Sequence, residues 1–151
     1  MGLIAAAIGA LALLGWVLDA GWLKSVIPGT VSMKPNTAVG IVLLGAALAL
    51  LTTSRPGNAR PSAGLALFAA AIGAATLAEF ITGGDFGIDQ LLFHEAPGAV
   101  GTAIPGRMAA ETAICFVVLG LAIALSRRDR SIVPAQVLAT LTGFVAVFEL
   151  L

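Results

Sequence analysis

Carboxylates are few in this chain, and three of them stand inside or beside apolar runs: Asp19 in "GWVLDAGWL", Glu79 in "ATLAEFITG" and Glu149 in "FVAVFEL". A carboxylate near the end of a membrane helix costs less than one at its centre, where insertion scales assign about 2.5–3.5 kcal/mol. Glu79 therefore has two readings. Its carboxylate reaches headgroups or water, or it forms part of a polar pocket beneath outward loops. Arg107 and Glu111 are four apart at the start of a helical run, a spacing that suits a local ion pair. Arg107 is also placed to bind an anionic ligand or to close onto Asp89. Thr37 and Thr112 each open an apolar run, where a hydroxyl bonds its own backbone or a neighbouring helix.

The stretch "GGDFGIDQLLFHEAPG" gathers Asp85, Asp89, His94 and Glu95. Oxygen and imidazole donors this close raise the question of a metal. Their spacings match no established ligand pattern, so the expectation is a solvated loop, with no metal and no cofactor. His94 is the only histidine, which excludes bis-histidine haem within one chain. Its neighbours "LLF" suit a segment lying along the outer interface. No Walker loop, G-x-S-x-G, H-E-x-x-H or C-x-x-C occurs, and no sizeable soluble region is present to house catalysis. The chain is not expected to be an enzyme.

The elements that position these residues follow from composition. Of 151 residues, 59% are hydrophobic and only 11% charged, against about a quarter in a soluble domain. So little polar surface places most of the chain in lipid. With zero net charge and no basic run among 8 Lys and Arg, nucleic acid is not an expected partner. The lone Cys115 lies in an apolar run and has no internal disulfide partner. Apolar runs cover roughly 3–18, 37–53, 63–82, 109–126 and 132–151. Each approaches the roughly 20 residues that span a 30 Å hydrocarbon core. The expected fold is all-α: one polytopic domain of five transmembrane helices. The first run lacks a basic n-region, and its A-x-A-like triplets lie inside it, so it reads as a retained helix rather than a signal peptide. Trp16 and Trp22 flank its end as interfacial anchors do.

Arg55 and Arg60 occupy one short connector, and Arg127, Arg128 and Arg130 another. The positive-inside rule assigns both to the cytoplasm, together with the N-terminus, and sends the loops at about 19–36 and 83–107 outward. Small residues recur four apart at Ala5–Gly9, Ala69–Gly73 and Ala66–Ala70–Ala74, a packing signal for a compact bundle or a homodimer. One phrase occurs twice. Aligning Met33 with Met108 brings Thr37 onto Thr112, Ala38 onto Ala113 and Leu44–Gly45 onto Leu119–Gly120 without a gap. This suggests helical hairpins at about 3–53 and 63–126, with 132–151 opening a third, and Asp19, Glu79 and Glu149 as the matching acids near the outer ends of the outgoing helices. Equivalent positions are two spans apart and share one orientation, unlike inverted-repeat transporters.

The segments "GIDQLLF", "PGRMAAETAICFVVLGLAIAL" and "MKPNTAVGIVLLGAALAL" resemble the membrane-embedded N-terminal regions of bacterial sensor histidine kinases and related PAS or GGDEF signalling proteins. The resemblance covers most of residues 10–150 and is most specific at Arg107–Ala113. It implies a sensory or anchoring input module in the bacterial inner membrane, coupled to downstream cytoplasmic signalling domains. The chain departs from that group in having no PAS domain, phosphoacceptor-histidine helix or ATP-binding domain. A parent gene is then expected to continue past Leu151 with an outward loop and a sixth helix. The rival reading is a stand-alone small membrane protein, either a structural subunit or a binder of a lipophilic molecule such as a quinone.

Overall fold

The computed structural model of the chain describes residues 1–25, 30–53 and 57–126. Among the described residues the fold is all-helical, with no strand. Helices α1 (Gly2–Val17), α3 (Pro35–Thr52), α4 (Ala59–Thr82) and α5 (Ala110–Leu125) occupy the first four apolar runs, and a single turn, α2 (Gly21–Lys24), follows α1. The fifth run, with Glu149 and the arginines before it, lies outside the described residues, as does Arg55. Two of the described helices, α3 and α4, are long and apolar enough to cross a membrane, rather than the five expected. Helices α1 and α5 have 16 residues each. At 1.5 Å per residue they rise about 24 Å, short of a 30 Å hydrocarbon core.

Helix boundaries have local causes. Asp19 adopts φ 50° just after α1, and Gly83 adopts φ 67° just after α4. A left-handed residue at a helix end turns the chain away from its axis. Pro35 occupies the first turn of α3, where a missing N–H leaves no hydrogen bond unmade.

The four long helices form two antiparallel hairpins, α1 with α3 and α4 with α5, and the same small residues close both. A Cβ added to Gly9 would lie 2.6 Å from Ala38 O, and one on Gly73 would lie 2.5 Å from Ala113 O. A Cβ on Gly45 would meet Gly2 O at 2.7 Å, and one on Gly120 would meet Ala66 O at 2.5 Å. Glycine permits these backbones to touch, and small-residue faces of this kind pack helices where lipid removes the hydrophobic drive. The returning helices correspond at the 75-residue offset of Met33 and Met108, and the outgoing helices at the 64-residue offset of Gly9 and Gly73.

The hairpins join through α3. The Phe116 ring on α5 lies over Gly40, where any side chain would collide with it. Around it gather Leu44, Ala69, Met108 and Ala113 as a buried cluster. At the opposite end from the long loops, the Ser62 hydroxyl donates to Ala47 O at 2.7 Å, tying α4 to α3. Large apolar side chains such as Leu3, Ile8, Leu14, Leu67, Phe68 and Ile114 point outward. Only 33% of either candidate span is buried, unlike the core helix of a water-soluble protein.

Candidate functional site

At one end of the bundle the chain between α4 and α5, residues 83–109, has no regular structure yet buries three charged side chains. A long irregular segment that is nonetheless packed is a common setting for function. Its order begins at a turn. Arg107 N–H donates to Ile104 O at 3.2 Å, with Pro105 and Gly106 between them and Gly106 at φ 76°. Proline at the second position and a left-handed glycine at the third suit a type II turn. A side chain on Gly106 would also strike the Asp89 backbone. The turn delivers two neighbouring donors: Gly106 N–H to Glu95 Oε2 at 2.7 Å, and Arg107 Nε to Asp89 Oδ2 at 2.6 Å.

Arg107 is the centre of the first polar cluster. Its guanidinium also lies 3.4 Å from Glu79 Oε2, donates to Gly84 O at 3.3 Å and sits over the Phe80 ring at 5.4 Å. Glu79 is fully buried and accepts the Phe86 N–H at 2.7 Å through Oε1. The interfacial reading of Glu79 is therefore wrong: the loop folds over the helix end and shuts its carboxylate from solvent. The pair of Arg107 with Glu111 does not form. Ala109 is extended at φ −62° and ψ 147° and α5 begins at Ala110, so Arg107 precedes the helix and the four-residue rule does not reach it. Glu111 is exposed in the first turn of α5, where an acid complements the helix dipole. Three buried oxygens in this region have no hydrogen-bond partner: Thr76 Oγ1, Glu79 Oε2 and Asp89 Oδ1.

A second cluster links the two hairpins. Lys34, just before α3, places Nζ 2.5 Å from Glu95 Oε1 and 2.5 Å from Thr102 Oγ1. Ser32 donates to the same Glu95 oxygen at 3.2 Å, and Asn36 donates to Ile88 O at 2.8 Å. Both charged side chains are more than nine-tenths buried. Burial pushes the Glu95 carboxyl up, but hydrogen bonds from Lys34, Gly106 and Ser32 and the ammonium charge outweigh it. The group rests below its ordinary value of 4.5. Sequence reading missed this pair. The available clue was a lysine at the N-terminus of a helix, the wrong charge for the dipole unless a partner neutralises it. His94 is exposed, beside Glu95 in sequence but outside both clusters.

Beneath the loops lies an open cavity of about 690 Å³. Its wall is mostly apolar and includes Thr37 and Thr112, Met33 and Met108, with Lys34 and Arg107 at the polar end. Trp16 donates its indole N–H to the O of the lining residue Met33 at 2.8 Å and packs against Phe93 in a tilted pair with centroids 5.8 Å apart. Lys24 covers the same indole at 4.4 Å and pairs with Asp19. Asp19 itself is exposed. In the hairpin correspondence Glu79 matches Gly15, so Asp19 and Glu79 are not equivalent acids.

Comparison with protein-family models, with curated proteins and with solved structures finds no match.

Proposed function

We propose that the chain is the membrane-embedded input module of a bacterial signalling protein, and that its cavity receives a lipophilic small molecule. It is read as a multi-pass bundle in the inner membrane, with five crossings when the run at 132–151 is included. The two hairpins are read as repeated units of one domain. The observation that carries the reading is the cavity wall. Residues from the two copies of the repeated phrase, Met33 with Met108 and Thr37 with Thr112, meet around one space. Apolar walls with a few convergent polar groups are the usual make-up of a small-molecule site. The loops above are pinned by buried ion pairs, so a molecule in the cavity contacts both hairpins at the end where they are latched. A ligand that favours one hairpin arrangement shifts the equilibrium by its difference in affinity for the two.

The same cavity also suits the rival reading, a stand-alone membrane carrier of a molecule such as a quinone. Two measurements decide. The wild-type chain, purified in mild detergent, is extracted for bound lipophiles and compared with Ala109→Trp, which places a large ring at an exposed position of the cavity wall, and with Thr37→Val/Thr112→Val. A bound molecule lost in Ala109→Trp supports the cavity as a site, and equal retention refutes it. The reading frame beyond Leu151 then separates the roles. A further helix and cytoplasmic signalling domains support the input module, and an immediate stop codon with function retained supports the carrier.

A further inference from the structure

Independently of the cavity, the loop end of α4 holds a second arrangement. One carboxylate oxygen each from Glu79, Asp85 and Asp89 lies within 4.8 Å of the others. We infer that these three residues form a binding site for a single hard divalent cation of calcium's size.

Proximity of acids alone would not carry this. The second observation is hydrogen-bond accounting. Glu79 Oε1 takes the Phe86 N–H and Asp89 Oδ2 takes Arg107 Nε. Their other oxygens, Glu79 Oε2 and Asp89 Oδ1, are enclosed and accept no hydrogen bond. The side chains that carry them are 0% and 5% exposed. Glu79 Oε2 has only the Arg107 guanidinium 3.4 Å away, and Asp89 Oδ1 has no hydrogen-bond partner. Buried carboxylate oxygens left so are costly, and a cation bound beside them satisfies both. Asp85 supplies the exposed third wall, with Oδ1 accepting the Gly87 N–H at 2.8 Å.

Charge points the same way. Three carboxylates face one guanidinium, Arg107, leaving two negative charges that a divalent ion cancels. The donors are all carboxylate oxygens, the set that hard cations take. Size selects among them. Two oxygens on one ion lie at most two bond lengths apart, about 4.2 Å for magnesium and about 4.6–5.2 Å for calcium. Oxygens that all lie within 4.8 Å of one another meet the calcium limit as they stand. Arg107 keeps its bond to the opposite oxygen of Asp89 in this arrangement and shares Glu79 Oε2, 3.4 Å from its guanidinium, with the ion. The cation would fix the segment 85–89 to the end of α4, adding a second tether to the loop that Glu95 latches.

The test uses the full chain in a non-ionic detergent, stripped with EDTA. Calcium and magnesium are titrated separately by calorimetry, and unfolding is followed by Trp16 and Trp22 fluorescence. One calcium per chain, a raised unfolding temperature and much weaker magnesium binding are expected. Asp85→Asn, at an exposed position, should unfold like the wild type without metal and bind calcium at least about tenfold more weakly, a loss that even an outer-shell change reaches. Asp19→Asn, a distant exposed acid, should bind like the wild type. Absence of calcium binding at millimolar concentration overturns the inference. So does calcium binding unchanged by Asp85→Asn, or magnesium bound as tightly as calcium.

Discussion

Replacing Lys34 with methionine removes the charge while keeping much of the stem, and leaves Glu95 buried beside the remaining donors Ser32 and Gly106. Breaking one partner of a buried ion pair costs about 3–5 kcal/mol, because the remaining charge is uncompensated. The two surviving hydrogen bonds to Glu95 place Lys34→Met near the lower bound, about 3 kcal/mol. That raises the population of the opened loop by roughly a hundredfold. Glu95→Met strands Lys34 with only Thr102 and should cost at least as much. The double variant Lys34→Met/Glu95→Met should cost less than either alone, because two apolar side chains replace the pair. Hydrogen exchange of residues 96–106 reads the loop, and thermal unfolding in detergent reads the bundle. Loop exchange should rise in each single variant and recover in the double. If Lys34→Met leaves exchange and unfolding within about 0.5 kcal/mol of wild type, the range of ordinary surface changes, then the latch has no energetic weight and the reasoning fails.

Arg107→Ala exposes two buried carboxylates to each other and should lower stability by about 3 kcal/mol or more, while Glu111→Gln stays within about 0.5 kcal/mol in the same melts. Gly40→Ala forces the Phe116 ring out of its place and should cost about 1–3 kcal/mol, recovered in part by Phe116→Leu in a double-variant cycle. Glu95 has a lowered folded-state value, so its contribution to stability is present above its ordinary 4.5 and is lost as pH falls through the folded value. An acid titration of unfolding temperature should therefore fall below about pH 4.5 in the wild type and flatten there in Glu95→Gln. Cysteines introduced at Asn58 and at Ala96, in a Cys115→Ala background, should label from opposite faces of the membrane, the second from outside. Labelling of both from one face would contradict the hairpin topology.

Periodicity and composition made the described helices legible, and residues that the Met33–Met108 register aligns line one cavity. What the sequence concealed was contact between segments separated by loops of unequal length. Gly9 and Gly73 play the same part, but their 64-residue offset differs from the 75 of the returning helices, so no single gapless alignment shows both. Asp19 and Glu79 therefore looked equivalent and are not. Glu79 resembled an interfacial acid because nothing in its own neighbourhood announces that residues 83–109 fold back over it. The partner of Arg107 was narrowed to Glu111 or Asp89. The choice turned on a helix start three residues later than Arg107, and boundaries of that kind depend on the Pro105–Gly106 turn rather than on the apolar pattern.

The eleven-residue difference between those two offsets falls in the connection between α4 and α5, the segment that supplies Glu95 to Lys34. The first hairpin thus carries a buried cation whose counter-charge resides in the other's enlarged loop. Such a debt is entrenching. A lineage that lost the second hairpin would inherit an unneutralised lysine in the first, and one that trimmed the loop would meet the same defect. Each half is now committed to the other, and substitutions at Lys34 and Glu95 are expected to be inherited together or not at all.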